Sequence, residues 1–72
     1  MTAAAIRKIT LRAGQPPDYE VGGPYREAIS ETRTAAFGTV TWIDAANGGY
    51  TVHSSRGDSL FLAAHYVAEA LP

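Results

Sequence analysis

Seventy-two residues that are 46% apolar and 18% charged, with seven Gly, four Pro and no Cys, describe one small domain without room for a second. Six basic against seven acidic residues leave a formal net charge of −1, so no global field gathers a polyanion, and broad electrostatic nucleic-acid binding is disfavoured. Without Cys there is neither a disulfide framework nor a thiolate metal cage, and the core must suffice alone or be completed by a second subunit.

The first residues, Met1 to Ile6, are followed at once by Arg7 and Lys8, which leaves no apolar stretch long enough for a signal core or a membrane span. The expected location is the cytoplasm. Thirteen Ala, with five Arg to one Lys, associate the chain with GC-rich bacterial or phage genomes.

Residues Ala4 to Arg12 alternate imperfectly, with Ile9 and Leu11 on one face, Lys8, Thr10 and Arg12 on the other and Ile6 out of phase, which reads as a strand. Lys8 and Arg12 suggest an edge position, where charge blunts unwanted pairing. The next twelve residues, Ala13 to Pro24, hold three Pro and three Gly and fit neither a central strand nor a helix interior.

Tyr25 to Ala36 admits two readings. Pro24 suits a helix first turn, Ala28, Ile29, Thr32, Ala35 and Ala36 form an apolar stripe, and Gly38 stands as a stop signal. The β-prone Ser30, Thr32 and Thr34 keep a strand open, and the helix takes precedence. From Phe37 onward the residues turn β-branched and aromatic: Gly38 to Asp44 and Tyr50 to Ser54 read as a hairpin across Asn47-Gly48-Gly49, with a loop longer than two residues and an open register. A turn at Ser55-Arg56-Gly57-Asp58 then feeds a third strand, Leu60 to Leu62, completing an antiparallel meander. The tail, Ala63 to Leu71, reads as a closing helix, which a Ser59 N-cap would lengthen backwards. The expected class is therefore α+β: a small antiparallel sheet, as a meander or partly open barrel, with one or two short helices.

The pattern Gly-Thr-Val-Thr-Trp-Ile-Asp, a polar reversal, Gly-Tyr-Thr-Val-His, a Gly-Asp turn, Leu-Phe-Leu and Ala-His-Tyr-Val, spanning 37–67, resembles the SH3-like small barrels of the Tudor and KOW type. The resemblance implies a barrel closed by a short helical turn. It also implies that an aromatic cage for a methylated cation would draw on Trp42, Tyr50, Phe61 and Tyr66. Strand alternation favours a different use of these rings: Trp42 shares a face with Val40, and Tyr50 with Val52, as in a core. On that reading Trp42→Ala costs about 3–5 kcal/mol.

No catalytic, cofactor-binding or metal-binding residues are assigned. His53 and His65 lack the spacing known for zinc sites, and a triad of Ser54 or Ser55 with His65 and Asp58 has neither a nucleophile elbow nor an oxyanion loop. Arg56-Gly57-Asp58 is ordinary turn chemistry. The first twelve residues carry +3 and the remainder −4, so Arg7, Lys8 and Arg12 are the candidate nucleic-acid contacts.

The function expected is a non-catalytic module that occupies a surface of a larger protein partner, in the manner of bacterial or phage accessory and inhibitor proteins. A nucleic-acid-binding small barrel is the alternative. Because the tail from Phe61 to Leu71 has only His65 and Glu69 as polar positions, a homodimer is also expected, with Phe61, Tyr66, Val67 and Leu71 as contacts. On that reading Val67→Glu separates the pair.

Overall fold

The computed structural model describes residues 5–12, 18–30 and 33–72. Seven strands follow one another: β1 (Lys8–Leu11), β2 (Tyr19–Glu20), β3 (Pro24–Ala28), β4 (Thr34–Ala46), β5 (Gly49–Ser54), β6 (Ser59–Ala63) and β7 (Val67–Leu71). The sole helical element among the described residues is a 3-10 turn at Ala64–Tyr66, between β6 and β7. The α+β expectation is thus overturned, and the chain is a small antiparallel β domain whose sheet curls into a half-barrel.

Neither predicted helix is found: Tyr25 to Ala28 lie in β3 and Thr34 to Ala36 in β4, with 31–32 outside the described residues, and the tail is a 3-10 turn followed by β7. The physical reason is the same for both. In β3, Pro24 and Arg26 are exposed while Tyr25 between them is fully buried, a period of two that a helix cannot produce. Pairing with β4 through Arg26↔Ala36 and Ala28↔Thr34 engages this backbone, whereas an isolated helix of a dozen residues is marginal in water. The tail behaves alike: β7 pairs antiparallel with β1, and Val67 faces inward while Ala68 and Glu69 face water. An apolar segment this short looks the same to periodicity whether it becomes helix or strand, and an available partner strand decides.

Two sheets result, β2-β1-β7 and β3-β4-β5-β6. β1 is therefore the middle strand of its sheet, contrary to the edge position its charges suggested. Lys8 sits on the solvent side directly opposite Glu20, a pairing of opposite charges that suits a central strand as well as an edge. The sheets are stitched together by an isolated bridge between Ile6 and Ile43 and by backbone bonds from Val21 N–H to the Arg7 carbonyl and from Gly22 N–H to the Val40 carbonyl, each 2.8 Å. Between them lies one core of Ile9, Tyr19, Tyr25, Val40, Ile43, Val52 and Val67, with Leu11, Phe37, Tyr50, Leu60 and Leu62 packed against it.

The predicted hairpin is present, tighter than expected. Ala46 pairs with Gly49, so only Asn47 and Gly48 form the loop, and Gly48 alone takes positive φ, at 86°. The third strand and the turn before it also stand where they were predicted, with Ser54 N–H bonded to the Asp58 carbonyl at 2.8 Å.

Where β5 leaves the sheet, its end is clamped to β4. The buried Ser54 hydroxyl donates to the Phe37 carbonyl at 3.1 Å and accepts from Arg56 N–H at 2.9 Å, while the Ser55 hydroxyl accepts from Thr39 N–H at 3.1 Å. Gly38 lies under this clamp at φ 83°, where an added Cβ would come within 2.7 Å of Ser55 Oγ and 2.9 Å of Arg56 Cγ. Gly38→Ala therefore incurs backbone strain and displaces the clamp together, a cost of about 2 kcal/mol, or roughly 10 °C in the thermal midpoint. Gly48→Ala, with comparable φ but open space around it, is the control and is expected to fall less. Equal falls in the two melting curves would contradict the clamp.

Candidate functional site

Strand β4 contains one residue more than its partner needs. Val40 pairs with Ser54 but Trp42 pairs with His53, so a β-bulge lies between them. A bulge shifts the inward and outward phase of everything after it. Val40 and Ile43, three apart, both point into the core, and Trp42 is turned out to 49% exposure. The expectation that Trp42 shares the core face of Val40 is overturned by this single extra residue.

Outside the sheet, the Trp42 indole lies flat on the His53 imidazole, with ring centroids 4.0 Å apart and planes within 3°. His53 Nε2 is buried without a hydrogen-bond partner, so that edge of the imidazole serves packing. Phe61, opposite Thr51 on the neighbouring strand, is 54% exposed. Asp44 is the exposed charge that flanks Trp42 along β4, while Thr51 and Ser59 give the face uncharged polar positions. The outer side of β4, β5 and β6 thus displays two large aromatic side chains in a polar surround of low charge.

An aromatic cage does not assemble from the four candidate rings. Tyr50 is half-buried and packs against the core, one face of Trp42 is covered by His53, and Tyr66 stands on the 3-10 turn against His65 at 4.2 Å. Ser54 and Ser55 lie at the far end of β5 from that turn, so neither can share a triad with His65. Ser54 is committed to the clamp. His53 and His65 are likewise held apart, and no group of three His, Cys, Asp or Glu side chains gathers among the described residues.

Of the predicted contact residues, Phe61, Tyr66 and Leu71 are exposed, whereas Val67 belongs to the core. The cations Arg7, Lys8 and Arg12 are exposed but sit on or beside β1, in the other sheet from Trp42 and Phe61. Arg12 is engaged structurally: its Nε donates to the His65 carbonyl at 2.7 Å and its backbone N–H to the Tyr66 carbonyl at 3.0 Å, fixing the 3-10 turn to the end of β1.

The phenols that titrate abnormally belong to the core. Burial, then the Glu27 carboxylate, pushes Tyr25 up to about 12. Tyr19, whose hydroxyl donates to the Arg26 carbonyl at 2.8 Å, is raised by the same two causes against a lowering by Arg26. A folded state that holds these protons more firmly than the unfolded chain keeps that stability below the ordinary phenol value of 10.0 and loses it as pH rises through about 12. The melting temperature is expected to hold up to about pH 9 and then fall, because the unfolded phenols begin to ionise there first. Tyr25→Phe should make the alkaline fall shallower; an unchanged slope would show that Tyr25 is not the group involved.

No known protein-family model matches the chain, and comparison with curated proteins and with solved structures finds no match either.

Proposed function

We propose that this chain is a non-catalytic protein-binding module that engages a larger partner through the outer face of β4, β5 and β6, anchored by Trp42 and Phe61. The observation that carries this reading is the outward turn of Trp42. A domain of this size has few large apolar side chains, and here a bulge removes the only Trp from the core and lays it flat on an exposed face. Trp dominates binding hot spots because it supplies a large rigid area at small entropic cost. A face of low charge fits a protein surface, where the centre of a contact is depleted in charged residues. Cytoplasmic residence accords with the same reading, and no helix among the described residues is long and apolar enough to cross a membrane.

A second reading, a nucleic-acid-binding small barrel of the Tudor or KOW type, draws on two observations. The sheet curls and a 3-10 turn precedes the last strand, and aromatic side chains on an exposed sheet face can stack bases. Against it, the cations and the exposed rings lie on different sheets. A pull-down from the lysate of the source organism, run with wild type and Trp42→Ala in parallel, tests the first reading. One stoichiometric protein retained by wild type and lost by the variant is the expected result; retention by both would remove Trp42 from the interface. Titrating a mixed DNA and RNA pool against salt tests the second, which requires retention at low ionic strength.

A further inference from the structure

Strand β6 ends the four-stranded sheet on the side away from β3. Two backbone bonds just beyond its ends fix its phase against β5: Ala64 N–H to the Gly48 carbonyl at 2.9 Å and Ser54 N–H to the Asp58 carbonyl at 2.8 Å. In the register Gly49↔Ala63, Tyr50↔Leu62, Thr51↔Phe61, Val52↔Leu60 and His53↔Ser59, antiparallel alternation then makes Leu60 and Leu62 the residues bonded to β5. The N–H and C=O groups of Ser59 and Phe61 and the N–H of Ala63 point away from the sheet, while the Ala63 carbonyl closes the 3-10 turn that follows.

Among the described residues no strand covers this edge, and such a row of backbone groups invites another strand, which proteins blunt with charge, Pro, bulges or brevity. The other three edge strands all carry such a device: β3 has Pro24, Arg26 and Glu27, β2 is two residues long, and β7 holds Glu69 and is followed by Pro72. β6 has none. It reads Ser-Leu-Phe-Leu-Ala, five residues without charge, Pro or Gly, in unbroken register with β5. Nor does its large side chain screen the edge, because the Phe61 ring leans back over β5, with Cζ 2.8 Å from where a Cβ of Gly49 would stand.

We propose that β6 pairs antiparallel with β6 of a second copy of this chain about a two-fold axis at Phe61, joining two four-stranded sheets into one. The strand is complementary to itself in that register. Phe61 meets the partner's Phe61, Ser59 meets the partner's Ala63, and Leu60 meets the partner's Leu62. Phe61 and the partner's Phe61 then exchange both backbone bonds at the axis, each Ala63 N–H reaches the partner's Ser59 carbonyl, and the half-buried Leu60 and Leu62 continue the inner apolar layer across the junction. A two-fold axis sets each strand against its own sequence, so an uncharged strand meets no like charge, which is the feature that favours a second copy over a charged peptide. The homodimer expected from the tail keeps Phe61 and moves off Val67. This pairing shares Phe61 with the protein-binding face and makes no use of Trp42.

Size exclusion with light scattering on the full chain is expected to give twice the 7.6 kDa chain mass at high concentration and the single mass on dilution. Amides of Phe61 and Ala63 should exchange slowly in the concentrated sample and rapidly in the dilute one. Phe61→Lys brings two ammonium groups together at the axis and should give the single mass with an unchanged far-UV spectrum. Phe61→Thr, uncharged and β-prone, should retain the double mass and guards against a Lys variant that merely misfolds. A wild-type chain of single mass at all concentrations would overturn the proposal, and so would a dimer in which the Phe61 amide exchanges freely. Trp42→Ala should leave the mass unchanged, so loss of partner capture and loss of the pair are read separately.

Discussion

Val67→Glu is expected to eliminate the cooperative thermal transition of the isolated chain rather than to alter a surface. Val67 opens β7 and is buried with Ile9 and Val52, where a carboxylate finds no partner. An unpaired buried charge costs about 3–5 kcal/mol. At 0.05–0.15 kcal/mol per residue, a chain of this length has roughly 4–10 kcal/mol in total, so the substitution consumes a large part of it. Circular dichroism during heating reads the result, and a melting curve like that of wild type would place Val67 at the surface. The sequence suggested that this substitution would separate a dimer; the strand that replaces the predicted helix turns it into a core lesion.

Trp42→Ala is expected to show the reverse pattern, with little loss of stability and a large loss of binding. The folded chain loses a stacked pair, worth about 0.5–1.5 kcal/mol, and part of a side chain that is already half in water. The midpoint should fall by no more than about 12 °C. A central Trp of an interface contributes about 2 kcal/mol or more, so affinity for the captured partner should weaken about thirtyfold or further. Isothermal titration with that partner, beside a melting curve of the same preparation, separates the two effects. A collapse of stability with no change in affinity would return Trp42 to the core.

What the sequence disclosed depended on local chemistry. The β-branched run from Thr39 to Ile43, the turn glycines Gly48 and Gly57 and the short Leu60-Phe61-Leu62 run each carry their own signal, and the hairpin and third strand follow from them. Tyr25 to Ala36 and the tail carry no such signal. Alanine-rich stretches accept helix or strand, and the choice is made by β4 and β1, which supply partner backbones far along the chain. The central place of β1 was hidden for a related reason, since Lys8 serves equally on the solvent side of a middle strand.

The candidate face was less legible than the fold. Phe61 was identified as a contact residue on the third strand, where it stands, but it was grouped with the tail residues rather than with its actual neighbours Gly49 and Thr51 on β5. Trp42 was assigned to the wrong side because alternation is counted in residues, and a bulge inserts one without any mark in composition. The stack of His53 with Trp42 depends on that same shift of register.

The outward turn of Trp42 at the bulge is therefore the point on which the functional account rests, and nuclear Overhauser contacts of its indole ring test it most directly. With ring centroids 4.0 Å apart, the indole protons should show strong contacts to the His53 imidazole and none to the methyl groups of Ile9 or Val52. Strong contacts to those core methyls, with none to His53, would contradict it.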